Sequence, residues 1–342
     1  MPITEYVLCA LLCLVCMICA YTDIKYGKIK NIITIPSALF AFTVNFICQK
    51  NNGTLRIYLL NLAVIIAFSM ILYFLHFWSA GDSKLLIFVI CALPVKIYAD
   101  MLRGYFSSFA LVMVIFSVSF LYLFFESIVL RIRKTDYLRP ENGKFLFFII
   151  SCLRGFSCIT TCNTVFFTFM RDFYIQNQYL FMMLNFFVVI FISRLKIFSK
   201  LKYVIGFFVF SILTAVCTDY GERLLHADYR IFLLFFVLLL MRNFMNRYNY
   251  KKINVSDLRE GMIVSLNSLV SVTDLKNKMP EKYDEPCSSR LTAEECEYIQ
   301  NIAKTKNTDS LYVLRGIPFG VLISVSAILF TVFGEIYVNT KL

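Results

Sequence analysis

Apolar residues gather in ten segments, each approaching the roughly 20 residues a helix needs to cross a bilayer. They cover about 4–22, 32–48, 57–77, 85–100, 105–128, 146–169, 178–195, 203–219, 229–245 and 316–338. The chain is 59% hydrophobic and only 16% charged, whereas a soluble domain averages about half apolar and a quarter charged. These segments predict an all-α polytopic membrane protein with about ten transmembrane helices. The fourth is the weakest, because it is short and contains Pro94 and Lys96. The sixth carries Arg154, a charge that has to snorkel or pair inside the bundle.

Charge between the segments alternates. One set of loops holds Lys25, Lys28 and Lys30, then Lys84, then Arg131, Arg133, Lys134, Arg139 and Lys144. It continues with Arg194, Lys196, Lys200 and Lys202, and ends with Arg242, Arg247, Lys251 and Lys252. The alternate loops are sparse. Basic loops face the cytoplasm, so both chain ends are expected outside and the protein is read as a multi-pass plasma-membrane protein. The net charge of +12 is then a matter of topology and anionic lipid, not of nucleic acid. The start does not read as a cleavable signal peptide, since Glu5 is its only charge and a basic n-region is missing.

Residues 246–315 are the one long polar stretch and read as a small cytoplasmic module of helical or mixed structure. Within it Thr292-Ala-Glu-Glu295 has the pattern of a capping box opening a short helix, and Lys276 to Ser289 reads as loop. The expected division is 1–135 as a membrane core, 136–245 as additional transmembrane helices, 246–315 as the module and 316–342 as the last helix. Cysteines in this chain fall mostly inside apolar segments, where they serve as small buried hydrophobes. Cys13-x-x-Cys16 and Cys16-x-x-Cys19 have ligand spacing but no soluble partner pair, so neither metal nor cofactor is expected.

Two aspartates, Asp23 and Asp82, lie where apolar segments meet basic flanks. Two spans separate them, and an even number of crossings returns the chain to the same face. Both therefore fall at the cytoplasmic boundary. Two carboxyl groups that share a proton are the minimum equipment for acid–base hydrolysis of a peptide bond. Asp82 precedes the fourth helix, at its positive end, and Asp23 closes the first, at its negative end. A shared proton is then expected more often on Asp23, with Asp82 activating water. Gly81 either permits unusual dihedrals or admits a substrate strand. Lys25 and Lys84 each follow an aspartate by two residues. They are read first as topology-setting lysines, and second as groups that steady a carboxylate.

The pattern resembles the prepilin peptidase family of membrane aspartyl proteases. Its members carry one Asp after the first span, followed by basic residues and Ile-Pro-Asn, and a second in Gly-x-Gly-Asp-x-Lys-Leu. Here the matching stretches are Asp23-Ile-Lys25-Tyr-Gly-Lys-Ile29-Lys30-Asn31 and Ser79-Ala-Gly81-Asp82-Ser-Lys84-Leu85. Lys30 replaces the usual Pro and Ser79 the usual first Gly. Asp257-Leu258-Arg-Glu-Gly261-Met262 and Arg315-Gly316-Ile317-Pro318-Phe319 are similar to the tail of the archaeal-type preflagellin and prepilin peptidases. The resemblance covers roughly 1–130 and 253–338.

The resemblance implies Asp23 and Asp82 as catalytic residues, with Ser79, Gly81, Lys84 and Lys25 as supporting residues. It also implies prepilin-like precursors with a short basic leader as substrates, cut at the cytoplasmic face. Some members also N-methylate the product through a four-cysteine zinc module. Its absence here leads to the expectation of cleavage alone. Presenilin-like enzymes fit less well, because they place their aspartates late and carry a Pro-Ala-Leu motif. The remaining alternatives are a prepilin-binding homologue that does not cleave and a transporter or assembly component. The oligomeric state is not legible in the sequence. Isotope-edited infrared spectroscopy is expected to place the shared proton on Asp23, and a proton on Asp82 would overturn that division.

Overall fold

The computed structural model describes residues 3–74, 78–101, 106–133, 145–223, 237, 241, 250–264, 291–306, 308–314 and 317–340. It forms two compact units. One comprises Met1–Leu121, Phe145–Phe236 and Pro318–Leu342, and the other Tyr122–Lys144 and Val237–Ile317. In chain order the first helices are α1 (Ile3–Tyr26), α2 (Asn31–Asn51), α3 (Leu55–Phe74), α4 (Ala80–Ala92) and α5 (Val95–Met101). Next come α6 (Phe109–Ile132), within which the unit boundary falls, α7 (Phe145–Phe169), α8 (Arg171–Gln176) and α9 (Gln178–Arg194). Then α10 (Leu201–Val216) and α11 (Tyr220–Arg223) precede β1 (Tyr250–Asn254), α12 (Ala293–Thr305), β2 (Ser310–Leu314) and α13 (Phe319–Thr340).

The protein is an all-α polytopic membrane protein. Among the described residues, six helices are long and apolar enough to cross a membrane: α1, α2, α3, α6, Phe148–Phe169 of α7 and Phe319–Tyr337 of α13. Three further expected segments are helical but shorter. Segments 178–195 and 203–219 form α9 and α10, helices of 17 and 16 residues. Segment 85–100 becomes two short helices, α4 and α5. Segment 229–245 lies almost wholly outside the described residues, as does the loop expected at Lys276 to Ser289.

The break between α4 and α5 has an identifiable cause. Pro94 has no N–H to give and excludes a helical residue before it, and Leu93 is extended at φ −69°, ψ 124°. The 13 residues of α4 rise only about 20 Å, short of the ~30 Å hydrocarbon core. The helix is apolar all round: Leu85, Leu86, Phe88, Val89, Ile90 and Ala92 are completely buried. Such a helix belongs at the centre of a bundle, and α1, α2, α3 and α13 all pack on it.

Ending a helix in an apolar interior leaves carbonyls without partners. Asn45 of α2 supplies them. Its Nδ2 donates to the carbonyls of Cys91 at 2.9 Å and Leu93 at 3.1 Å. Gln49 donates in turn to Asn45 Oδ1 at 3.0 Å. On the other side of α4, Ser69 Oγ donates to the Ser83 carbonyl and Ser83 Oγ to the Ser69 carbonyl, locking α3 against α4.

Within the first unit, α7, α8, α9, α10 and α11 build a second core. Phe167, Tyr174, Phe181, Ala215 and Tyr220 form its apolar centre. Asn185 donates to Asn163 at 2.7 Å and Asn163 to the Tyr220 hydroxyl at 3.1 Å. The second unit pairs β1 with β2 antiparallel and covers the pair with α12, burying Val255, Leu258, Ile299, Leu311 and Val313. The capping box read from Thr292 and Glu295 is present: Thr292 Oγ1 accepts from the Glu295 amide, and Glu295 Oε2 accepts from the Thr292 amide.

Replacing Asn45 with Ala removes both donors at the Pro94 break. The expected loss is about 2 kcal/mol of stability, measured as a lower unfolding midpoint in detergent. An unchanged midpoint would show that the break is satisfied by other groups.

Candidate active site

Asp23 sits in the last turn of α1. The helix ends three residues later because Gly27 takes a left-handed φ of +62°, and its amide closes back onto the Asp23 carbonyl at 2.8 Å. This is a glycine C-cap, and it turns the chain into the short link that carries Ile29. The Asp23 side chain is half-buried. Its neighbours come from the far end of the sequence: the first backbone amides of α13, those of Gly320 and Val321, act on the carboxyl group. Asp23 Oδ2 is buried and completes no hydrogen bond.

Asp82 lies in the first turn of α4, which begins at Ala80. The sequence reading placed it ahead of the helix; the helix starts earlier because Ser79 caps it. Ser79 Oγ accepts from the Asp82 amide at 3.2 Å. Asp82 Oδ2 accepts from the Ser79 amide at 3.0 Å and from Ser79 Oγ at 2.7 Å. Ser79 and Asp82 thus form a capping box of their own. Asp82 is buried, at 8% exposure, so its carboxyl group is held in place by the residue that stands where the resembled family has glycine.

Gly81 does not adopt a positive φ, so the unusual-dihedral account of it is set aside. It is needed for space. A Cβ at Gly81 would stand 3.2 Å from Ile29 Cβ. Gly320 meets the same isoleucine from another side: a Cβ there would lie 2.8 Å from Ile29 Cδ1, 2.9 Å from Asp23 Oδ2 and 3.1 Å from Asp23 Cγ. The start of α4, the start of α13 and the link after α1 therefore converge on one side chain. Trp78 reinforces the convergence, with its ring centroid 6.0 Å from that of Phe319 and 6.0 Å from that of Phe116.

The two lysines point to different partners. Lys84 Nζ donates to Asn31 Oδ1 at 2.9 Å, tying the start of α4 to the start of α2. Lys25 donates to the Tyr21 hydroxyl at 3.2 Å and lies over the Tyr21 and Tyr26 rings. Among the described residues no group of His, Cys, Asp and Glu side chains is arranged to hold a metal ion.

Sequence reasoning missed Gly320 and the packing role of Ile29. Ile29 matches the family pattern, but a pattern does not say what a side chain touches. Gly320 follows Pro318-Phe319 at the start of the last apolar segment, and no spacing rule connects it with residue 23. Asp23 lies at the C-terminal end of its own helix and also beside the N-terminal end of α13.

A family model described as the type IV leader peptidase family matches residues 10–132, a stretch containing both aspartates, Ile29, Ser79 and Gly81. No curated protein and no solved structure matches the chain. Ser79→Ala is expected to cost about 1 kcal/mol through the lost cap and to loosen Asp82. Ser79→Thr should retain both effects of the native residue. Denaturation midpoints of the two variants check this, and equal midpoints for Ala and Thr would refute the capping role.

Proposed function

We propose, from the match of residues 10–132 to a model of the type IV leader peptidase family, that the chain is an aspartyl endopeptidase acting within the membrane. It removes the short basic leader from prepilin-like precursors at the cytoplasmic face and leaves the new N-terminus unmethylated. The observation that carries this reading is the convergence of the α1 end, the α4 start and the α13 start around Ile29, which sets two carboxyl-bearing helix ends against one side chain.

The chemistry follows from two carboxyl groups of unlike surroundings. Asp82 Oδ2 accepts two hydrogen bonds from Ser79 and is kept an acceptor. This suits Asp82 to take a proton from the attacking water. Asp23, whose Oδ2 completes no hydrogen bond, is suited to protonate the scissile carbonyl oxygen. Water oxygen bonds to the carbonyl carbon. The tetrahedral diol then collapses: one hydroxyl returns its proton to Asp23, the C–N bond breaks, and the proton that Asp82 took from water passes to the departing amine. A close pair titrates as one unit, so the roles describe the pair's working cycle. The substrate's apolar helix would lie in the bilayer, which leaves the peptide bond beside the dyad and removes much of the cost of bringing reactants together.

The test is cleavage of a prepilin-type precursor by membranes containing the protein. Asp23→Asn and Asp82→Asn are each expected to lower the rate by about 10²–10⁴-fold. Cleavage that survives either substitution would refute the dyad. Failure of the native chain to cut any of several precursors would replace this reading with a non-cleaving binding protein. Mass spectrometry of the product is expected to show the unmethylated terminus, and a mass gain of one methyl group from purified enzyme would overturn that part.

A further inference from the structure

The face of α13 that meets Asp23 has no side chain at its point of contact. Gly320 brings bare backbone against the carboxyl group, and the position has no room for even a methyl: the added carbon would stand 2.9 Å from Asp23 Oδ2 and 2.8 Å from Ile29 Cδ1. Contacts below about 3 Å between a carbon and these atoms lie inside van der Waals distance, where carbon pairs are at their optimum near 3.5–4.0 Å. Something therefore has to move. α13 is pinned further along, where Gly334 packs directly on Ile97 of α5, and Ile323, Ala327 and Phe330 are buried in the core. Ile29 is held on its other side by Gly81. The element with freedom to move is the Asp23 carboxyl group, which rotates about its own side-chain bonds and would turn away from the Gly320 and Val321 amides that act on it.

We propose that Gly320 is a positioning residue for Asp23, acting together with Ile29: the bare backbone at the start of α13 sets the orientation of the carboxyl group by contact. This deepens the peptidase reading and rests on it. The helix that follows the second unit in sequence thereby becomes part of the catalytic arrangement, although it lies outside residues 10–132. The contact is steric, so it predicts a particular pattern of variants. Gly320→Ala should rotate the carboxyl group away from its working position without replacing any group that faces a substrate. Ile29→Val removes only Cδ1, the atom nearest Gly320, and should return part of the space that the alanine methyl takes.

The experiment is steady-state cleavage of a prepilin-type precursor by the full chain in nanodiscs, for native protein, Asp23→Asn, Gly320→Ala, Ile29→Val and the Gly320→Ala/Ile29→Val double variant. Gly320→Ala is expected to lower kcat by about tenfold or more, since small displacements of reacting groups cost rate steeply, and to leave KM within about twofold. The double variant is expected to regain part of kcat, a coupling that a general folding defect would not produce. Native kcat in Gly320→Ala, or equal loss in the single and double variants, overturns the proposal. If Gly320→Ala does not fold, Ile29→Val decides it: lowered kcat with unchanged KM is expected, and unchanged kcat overturns it. Activity that survives Asp23→Asn would instead sink the peptidase dyad itself, so the two failures are told apart.

Discussion

The packing of Ile29 between two glycines is the contact on which the candidate site depends. Gly81 and Gly320 each bring helix backbone within side-chain distance of this one residue. The starts of α4 and α13 can approach the end of α1 only because neither glycine has a Cβ. In water such a junction would be supported by the hydrophobic effect. Between helices in lipid that force is absent, and close backbone approach at small residues is a main source of association. The Gly320–Asp23 and Gly334–Ile97 contacts extend the same device along α13.

The second requirement is a rigid base for Asp82. α4 is short, apolar on all sides and surrounded by α1, α2, α3 and α13. It ends inside the protein at Pro94, where Asn45 satisfies the released carbonyls. At its other end Ser79 satisfies the amide of Asp82 and binds the Asp82 carboxyl group. Both ends of the helix are therefore closed by side-chain hydrogen bonds, and the buried carboxyl group is part of one closure. A residue that resembles a departure from the family pattern thus has a structural task of its own.

The helices between residues 145 and 223 have a different character. Their core is aromatic, centred on Phe167, Tyr174, Phe181 and Tyr220, and it is crossed by the amide chain from Asn185 through Asn163 to Tyr220. They belong to the same compact unit as both aspartates and lie outside the family match.

The sequence by itself determined the membrane class and the capping box at Thr292, and offered both aspartates as candidates, because each rests on local chemistry: long apolar runs, charges at their ends, and a four-residue hydrogen-bonding pattern. It read 85–100 as a single weak crossing, and the structure divides that run into two short helices at Leu93 and Pro94. It offered backbone freedom or room for a substrate strand at Gly81, because the packing reason depends on Ile29, which is 52 positions away. Only the tertiary structure decided what stands beside each carboxyl group. Gly320 meets Asp23 across nearly 300 residues of sequence, and a contact of that range leaves no period, spacing or composition by which one chain alone could disclose it.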